Sequence, residues 1–235
     1  MRWRTTVFVV LALASAALFV RLGIWQLDRR TQRLARNDLI AARMNDAPIP
    51  LAALRGDTAA NHYRRIVVAG HPDFDRDIAL TLRGNRGSPG VDVLTPVLVS
   101  GTDSAILVNR GWVYAADGMT TDLSRWREAD SVFTGYVEEF DPTPDSVRLN
   151  GIRRANREGI AHVLPYPIRS FYVVALSDSA PKEGRIVRLA IPPLTGGPHL
   201  SYAIQWFCFA TIAVVGAGVV AARRMRSPTG NGDSP

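Results

Sequence analysis

The sequence predicts a membrane-anchored α+β protein: two transmembrane helices flanking a mainly antiparallel β domain, either a sheet or a partly closed barrel. Three observations predict it. An apolar block stands at each end of the chain. Short runs rich in valine and isoleucine fill the middle. Glycine, asparagine and proline punctuate those runs as turns do. Hydrophobic residues make up 47% of the 235 residues, and the two end blocks hold much of the excess.

The first block runs from Thr5 to Leu27. Thr5 to Val20 carries no charge. With Arg21 snorkelling near the far interface, the segment reaches the ~20 residues that a bilayer needs. Trp3 and Trp25 mark the two interfaces. A cleaved signal peptide is the alternative, with Arg2 and Arg4 as its basic region and Ala14-Ser-Ala16 as its cleavage site. The apolar stretch continues past those small residues, which favours a retained anchor. The second block, Leu200 to Ala222, has no charge and is followed by Arg223, Arg224 and Arg226. It reads as a transmembrane helix. The expected division is a first span at 1–27, a β-rich domain at 28–198, a second span at 199–222 and a tail at 223–235. An even number of spans puts both termini on one side. The arginines at both ends place that side in the cytoplasm and the domain outside it. Arg21, Arg29, Arg30, Arg33 and Arg36 oppose this, but the rule weakens for a long translocated segment.

Asp28 to Met44 is expected to be helical, with Leu34, Leu39, Ile40 and Met44 spaced for one face, extending the first span until Ala47-Pro-Ile-Pro50 ends it. Seven strands follow: Arg65–Ala69, Asp77–Arg83, Val91–Val99, Ala105–Val113, Ser131–Val137, Ser170–Leu176 and Gly184–Ala190. Pro96 inside the third suggests an edge position or a bulge. Gly84-Asn85, Gly87-Ser-Pro-Gly90 and Gly101-Thr-Asp103 read as turns. Asp122 to Ala129 reads as a short helix, and Asp141–Asp145 and Leu164–Pro167 read as loops.

Several functions are excluded. Cys208 is the only cysteine and lies in the second span, so no internal disulfide and no Cys-x-x-Cys chemistry is available. No Gly-x-Ser-x-Gly or phosphate-cradling loop occurs. The formal charge is +7, carried almost wholly by arginine, since Lys182 is the only lysine. Without aromatic-basic or zinc-finger spacing this argues for no nucleic-acid partner; some of the charge suits anionic membrane lipids. His71-Pro-Asp-Phe-Asp75 could hold a metal but reads more simply as a solvated turn. Arg83-Gly-Asn-Arg-Gly87 reads as a hairpin or an anion site.

His199 stands apart, at the lip of the second span. At about 100° per residue, His199, Tyr202 and Trp206 fall on one side of a helix. An imidazole beside aromatic rings at a membrane surface suits a flat metal-bearing ligand, with His199 as the axial ligand of a heme iron. The plainer reading makes it an interfacial histidine, and Tyr202 and Trp206 interface aromatics. Arg21 and Trp25, four residues apart, share a face near the same interface. Arg21 could pair with a heme propionate or simply snorkel. Arg110, in an Asn-Arg-Gly-Trp turn with Trp112, could dock a partner or close the sheet.

Four patches carry a family resemblance: Leu22-Gly-Ile-Trp-Gln-Leu-Asp-Arg29, Gly90-Val-Asp-Val-Leu-Thr-Pro96, Ile106-Leu-Val-Asn-Arg-Gly-Trp-Val113 and His199-Leu-Ser-Tyr-Ala-Ile-Gln-Trp-Phe207. In this order, between paired terminal spans, they resemble the Surfeit locus protein 1 family of cytochrome c oxidase assembly factors. Tyr114, Gly196-Gly-Pro198 and Gln205 depart from the usual family pattern. The resemblance implies a non-enzymatic protein with two spans in a bacterial inner membrane and an extracytoplasmic domain. It implies partnership with oxidase subunit I and other assembly factors. It implies heme a as a transient cargo, with His199 as candidate ligand and Tyr202, Trp206, Trp25 and Arg21 around it. A scaffold that holds an oxidase intermediate without touching heme is the alternative. A two-span sensor is a third class, disfavoured by the short tail after Arg226.

Overall fold

The structure, a computed structural model, describes residues 2–177, 185–191 and 194–226. They form two compact units, residues 2–39 with 194–226, and the described part of 40–193.

The first unit is a helix pair. Helix α1 (Arg2–Asn45) is continuous from the apolar block into the arginine-rich segment, as the periodicity of 28–44 predicts. Helix α4 is His199–Arg226. Both are long and apolar enough to cross a membrane. They run antiparallel. Arg224 Nη1 donates to Thr6 Oγ1 (3.2 Å) at one end, and His199 Nδ1 meets Gln26 Oε1 (2.9 Å) at the other. From Thr6 to Gln26 a helix rises about 30 Å, the thickness of a bilayer's hydrocarbon.

The seam between them repeats at the coiled-coil period. The covered positions of α4 include His199, Ala203, Trp206, Ala210, Ala213 and Ala217. Those of α1 include Ala12, Ala16, Phe19, Gly23, Gln26 and Arg30. Alternating steps of four and three residues define a left-handed pair. Small residues let the backbones approach, since lipid offers no hydrophobic drive for pairing. At Gly23 a Cβ would meet the Phe207 ring at 2.7 Å.

The second unit is a nine-stranded sheet. The strands are β1 (Ile49–Pro50), β2 (Arg65–Ala69), β3 (His71–Pro72), β4 (Ile78–Asn85), β5 (Ser88–Leu98), β6 (Ala105–Tyr114), β7 (Val132–Glu139), β8 (Gly151–Ile152) and β9 (Ile168–Ala175). Their order is β1-β2-β7-β9-β6-β5-β4-β8, with β3 paired to β5. The hydrogen-bonded path has two ends among the described residues, so it is an open sheet rather than a barrel. Most pairs are antiparallel; β6–β9, β1–β2 and β4–β8 are parallel. Helix α2 (Thr58–Asn61) and helix α3 (Arg157–Ala161) are short and capped by Asp57 and Asn156.

Both faces of the central strands are buried, which explains their continuous apolar runs. In β6, Ile106 and Val108 enter a cluster with Ile66, Val68 and Val173, while Ala105 and Leu107 enter one with Leu80, Leu94 and Ile160. Ile40 and Met44, at the end of α1, pack with Tyr136 and Val174.

Several sequence expectations need correction. Residues 185–190 form no strand; Val187 makes one isolated bridge to Trp112, and residue 184 lies outside the described residues. Pro96 sits in an interior strand, not at an edge. Its carbonyl accepts from Asp73 N (2.8 Å), so its proton-less nitrogen faces the side where β5 changes partner from β4 to β3. Gly84, Asn85 and Ser88–Gly90 belong to strands, and the hairpin turn is Arg86-Gly87, at φ 50° and 84°. The short helix near 122–129 is a 3₁₀ turn over Leu123–Trp126, capped by Asp122.

Candidate functional site

The four sequence patches meet in two pairs, one in each unit. Residues 22–29 and 199–207 form one end of the helix seam. Residues 90–96 and 106–113 are neighbouring strands, β5 and β6.

In the sheet pair, Arg110 is not in a turn. Val93 pairs with Gly111 and Leu94 with Asn109, so Arg110 is the extra residue of a β-bulge. Gly111 takes φ +124°, and a Cβ there would lie 2.4 Å from Val187 O, so only glycine fits. The bulge turns Arg110 into the protein, where its side chain is wholly buried. Nη2 donates to Asp77 (2.8 Å), Nε to Thr95 Oγ1 (2.6 Å) and Nη1 to Trp126 O (2.6 Å) and Glu128 (3.2 Å). The guanidinium carbon lies 4.9 Å from the Phe74 ring centre. Arg188 joins Glu128 at 3.0 Å and donates to Arg110 O. Each of the three guanidinium nitrogens thus donates, with two carboxylates beside the charge, the arrangement a buried cation requires. Arg110 ties Thr95 of β5, Asp77 ahead of β4 and the 126–128 segment to β6. Trp112 is half-buried; its indole lies over Gly90, where a Cβ would meet Nε1 at 2.4 Å, and donates to Arg83 O (3.4 Å). Asp92 accepts from Asn109 (3.2 Å), and burial pushes its carboxyl above the ordinary range.

Burial also pushes the Asp77 carboxyl up to about 6, against the pull of the Arg110 guanidinium and its hydrogen bonds from Thr95 and Arg110. In the unfolded chain this group titrates near 3.8. Between those values the folded state holds the proton and the unfolded state does not. Stability from this group is therefore full below about pH 4 and falls as pH rises through about 6, by about 3 kcal/mol in all. Asp77→Asn is expected to remove that slope from the pH profile of urea unfolding. Parallel profiles for wild type and variant would contradict the assignment.

In the helix pair, His199 is half-buried at the start of α4. With the Gln26 amide oxygen as acceptor, Nδ1 is the donor, and in the neutral ring the lone pair is then on Nε2. Nε2 has no hydrogen-bond partner among the described residues. Trp206 stacks on Phe19 (centroids 5.6 Å, 25°) and meets Phe209 edge-on. Tyr202 stands outside the seam and is 48% exposed. The seam runs through Ala203, so His199 and Trp206 turn toward α1 and Tyr202 does not. Trp25 is also 48% exposed, with the Arg29 guanidinium 5.6 Å from its ring. Arg21 is exposed and makes no ion pair among the described residues. The structure thus brings His199 and Trp206 into one seam and leaves Tyr202, Trp25 and Arg21 on outer faces.

Gln26, Phe19 and Phe207 were missed as site residues. Gln26 carries a usable signal: an uncharged polar side chain in an apolar helix, whose cost is offset only by a partner. Among the described residues no group of three or more His, Cys, Asp or Glu side chains is placed to hold a metal ion.

The chain resembles known proteins along most of its length. The chain is 26% identical over 236 residues to a SURF1-like protein of Mycobacterium tuberculosis (strain H37Rv), covering 96% of this chain and 85% of that one. It is 27% identical over 222 residues to a SURF1-like protein of Monosiga brevicollis, covering 82% and 79%. Over 107 residues it is 30% identical to Surfeit locus protein 1 of Xenopus tropicalis, covering 39% and 35%. The sequence model of the SURF1 family matches residues 13–211, which take in all four patches and most of both apolar segments. The chain belongs to the SURF1 family, whose members are assembly factors and not enzymes.

Proposed function

We propose that this assembly factor accepts heme a at the outer end of its helix pair and passes it toward subunit I of cytochrome c oxidase. The observation that carries the proposal is the Gln26–His199 hydrogen bond. A ligating imidazole needs its other nitrogen held by a fixed acceptor, which sets the tautomer and aims the ring. Gln26 supplies that acceptor, and Nε2 is the nitrogen left for iron. The residues present fit the group in other respects. Exposed Tyr202 and Trp25 offer apolar area for a flat macrocycle, and Arg21 and Arg29 are cations for its propionates. Iron coordination is the chemistry the heme supplies when bound; the chain's part is to hold, shield and orient it.

Localisation follows from the same reading. Both helices span a bacterial inner membrane, both termini are cytoplasmic, and the β domain is extracytoplasmic. The division into spans at 1–27 and 199–222, a domain at 28–198 and a tail at 223–235 remains part of this proposal. Oxidase subunit I and other assembly factors are the expected partners, with membrane lipid around the spans. Arg110 and Trp112 would serve partners indirectly, by fixing the sheet that presents the surface loops.

The test is the absorption spectrum of the full chain purified from cells that make heme a. A Soret band that co-purifies with the protein supports the proposal. Heme-free protein from cells whose oxidase still depends on it would reject cargo binding and favour a scaffold.

A further inference from the structure

Away from both motif pairs, the β domain carries a groove of about 840 Å³, between β4, the segment 119–127 and the segment 145–154. Two leucines at this edge are held at positive φ. Leu149 (φ 46°) is the first residue of a two-residue hairpin whose ends, Arg148 and Gly151, exchange both backbone hydrogen bonds at 2.7 Å. Asn150 follows at φ 62°, which makes this the tight turn normally built from asparagine and glycine. Leucine here accepts backbone strain and leaves its side chain fully exposed, at 104%. The hairpin is pinned to the sheet, since Ala79 N donates to Asn150 O at 2.8 Å. Leu82 (φ 59°) occupies a bulge of β4 and is 50% exposed; its N–H donates to Gly118 O at 2.6 Å, and the next residue, Met119, is 55% exposed.

The charges around these side chains are unequal in availability. The four carboxylates that line the groove are engaged: Asp75 by Arg127, Asp77 by Arg110, Asp122 by Ser124 and Asp145 by three backbone N–H groups. Arg148 and Arg153 are exposed and make no ion pair among the described residues, and Arg154 pairs loosely with Asp141, at 3.9 Å, its charge also acting on Asp145. A rigid apolar tip with free guanidinium groups at its foot is complementary to carboxylates set around an apolar side chain.

We propose that this groove docks an acidic segment of a partner protein, with Leu149 as the apolar anchor and Arg148, Arg153 and Arg154 as its carboxylate contacts. The inference rests on the assembly-factor role of the chain and is independent of heme binding. It is tested in cells with the full-length protein carrying Leu149→benzoylphenylalanine, a photo-crosslinking side chain, and with Asp103→benzoylphenylalanine as control. The expected result is a crosslink from 149, absent from 103, to a Glu- or Asp-rich stretch of another protein. Adding Arg148→Glu and Arg153→Glu should lower its yield about tenfold or more, and reversing the mapped acidic residues to lysine should restore it. Both arginines are on the surface, so the variants keep the fold, checked by unchanged protease resistance. Crosslinks only to lipid, only to a second copy of this chain, no more than the 103 control, or insensitive to the arginine reversals would each overturn the proposal. Heme a content, read on the same samples, separates the two readings: loss of the crosslink with heme retained concerns docking alone.

Discussion

Arg110→Ala is expected to be the most destabilising single substitution in the β domain, costing about 3–5 kcal/mol. The side chain lies in a bulge that only Gly111 permits, and it satisfies Asp77, Thr95, Glu128 and the Trp126 carbonyl at once. Removing it leaves the buried Asp77 carboxylate without its cation, with only the Thr95 hydroxyl as donor, and takes the donor from the Trp126 carbonyl; the desolvation penalty of such groups exceeds the net gain from any one hydrogen bond. Arg110→Lys is expected to recover little, because an ammonium is not planar and cannot serve four acceptors in a fork. The pair Arg110→Met with Asp77→Leu should recover more than either single change, since it removes the charge along with its partner. Denaturant unfolding, followed by the fluorescence of Trp112 and Trp126, reads all of these variants. An Arg110→Ala protein within about 1 kcal/mol of wild type would contradict the network, given that surface changes usually fall within about half that.

The second large effect concerns the helix pair. Gln26→Leu and His199→Ala both remove the hydrogen bond across the seam. An interhelical hydrogen bond in a membrane is worth about 0.6–2 kcal/mol. That is small beside a seam built on Ala16, Gly23, Ala203, Ala210 and Ala217 and the Phe19–Trp206 stack. Both variants are therefore expected to insert and stay paired. Their effects on heme should differ in degree. His199→Ala removes the ligand itself. Gln26→Leu keeps the imidazole but frees its orientation and tautomer, and loss of such a support typically weakens metal affinity about 10–100-fold. Gln26→Glu should retain more heme than Gln26→Leu, because a carboxylate still accepts from Nδ1–H. Tyr202→Phe should change little, since the exposed ring remains.

Much of the fold was legible because it depends on local pattern. The strand Arg65–Ala69 has the same bounds in sequence and structure, and the extension of the first helix to Met44 follows from Leu34, Leu39, Ile40 and Met44 recurring among arginines. The seam was half legible. A period of 3.6 groups His199 with Tyr202 and Trp206, whereas a paired helix follows 3.5 and runs through Ala203. Which residues face a partner helix depends on that partner, and Gln26 lies 173 residues from His199 in sequence. Arg110 shows the other limit. Asn-Arg-Gly is turn chemistry, and nothing local says that Gly111 instead opens a bulge inside a strand. The acceptors that surround the guanidinium come from residues 77, 95, 126 and 128, so they are assembled only by the sheet. Gln26 was within reach of sequence reasoning, as a polar side chain with no evident reason to be in an apolar helix.

The most direct test of the central claim is the heme a spectrum and the heme-to-protein ratio of wild type, Gln26→Leu and His199→Ala, purified in parallel from cells that make heme a. The account predicts heme in the wild type, a reduced ratio or shifted Soret band in Gln26→Leu, and loss of most heme in His199→Ala, with equal membrane insertion of all three. Equal occupancy and identical spectra across the three proteins would contradict it and leave the scaffold reading in its place.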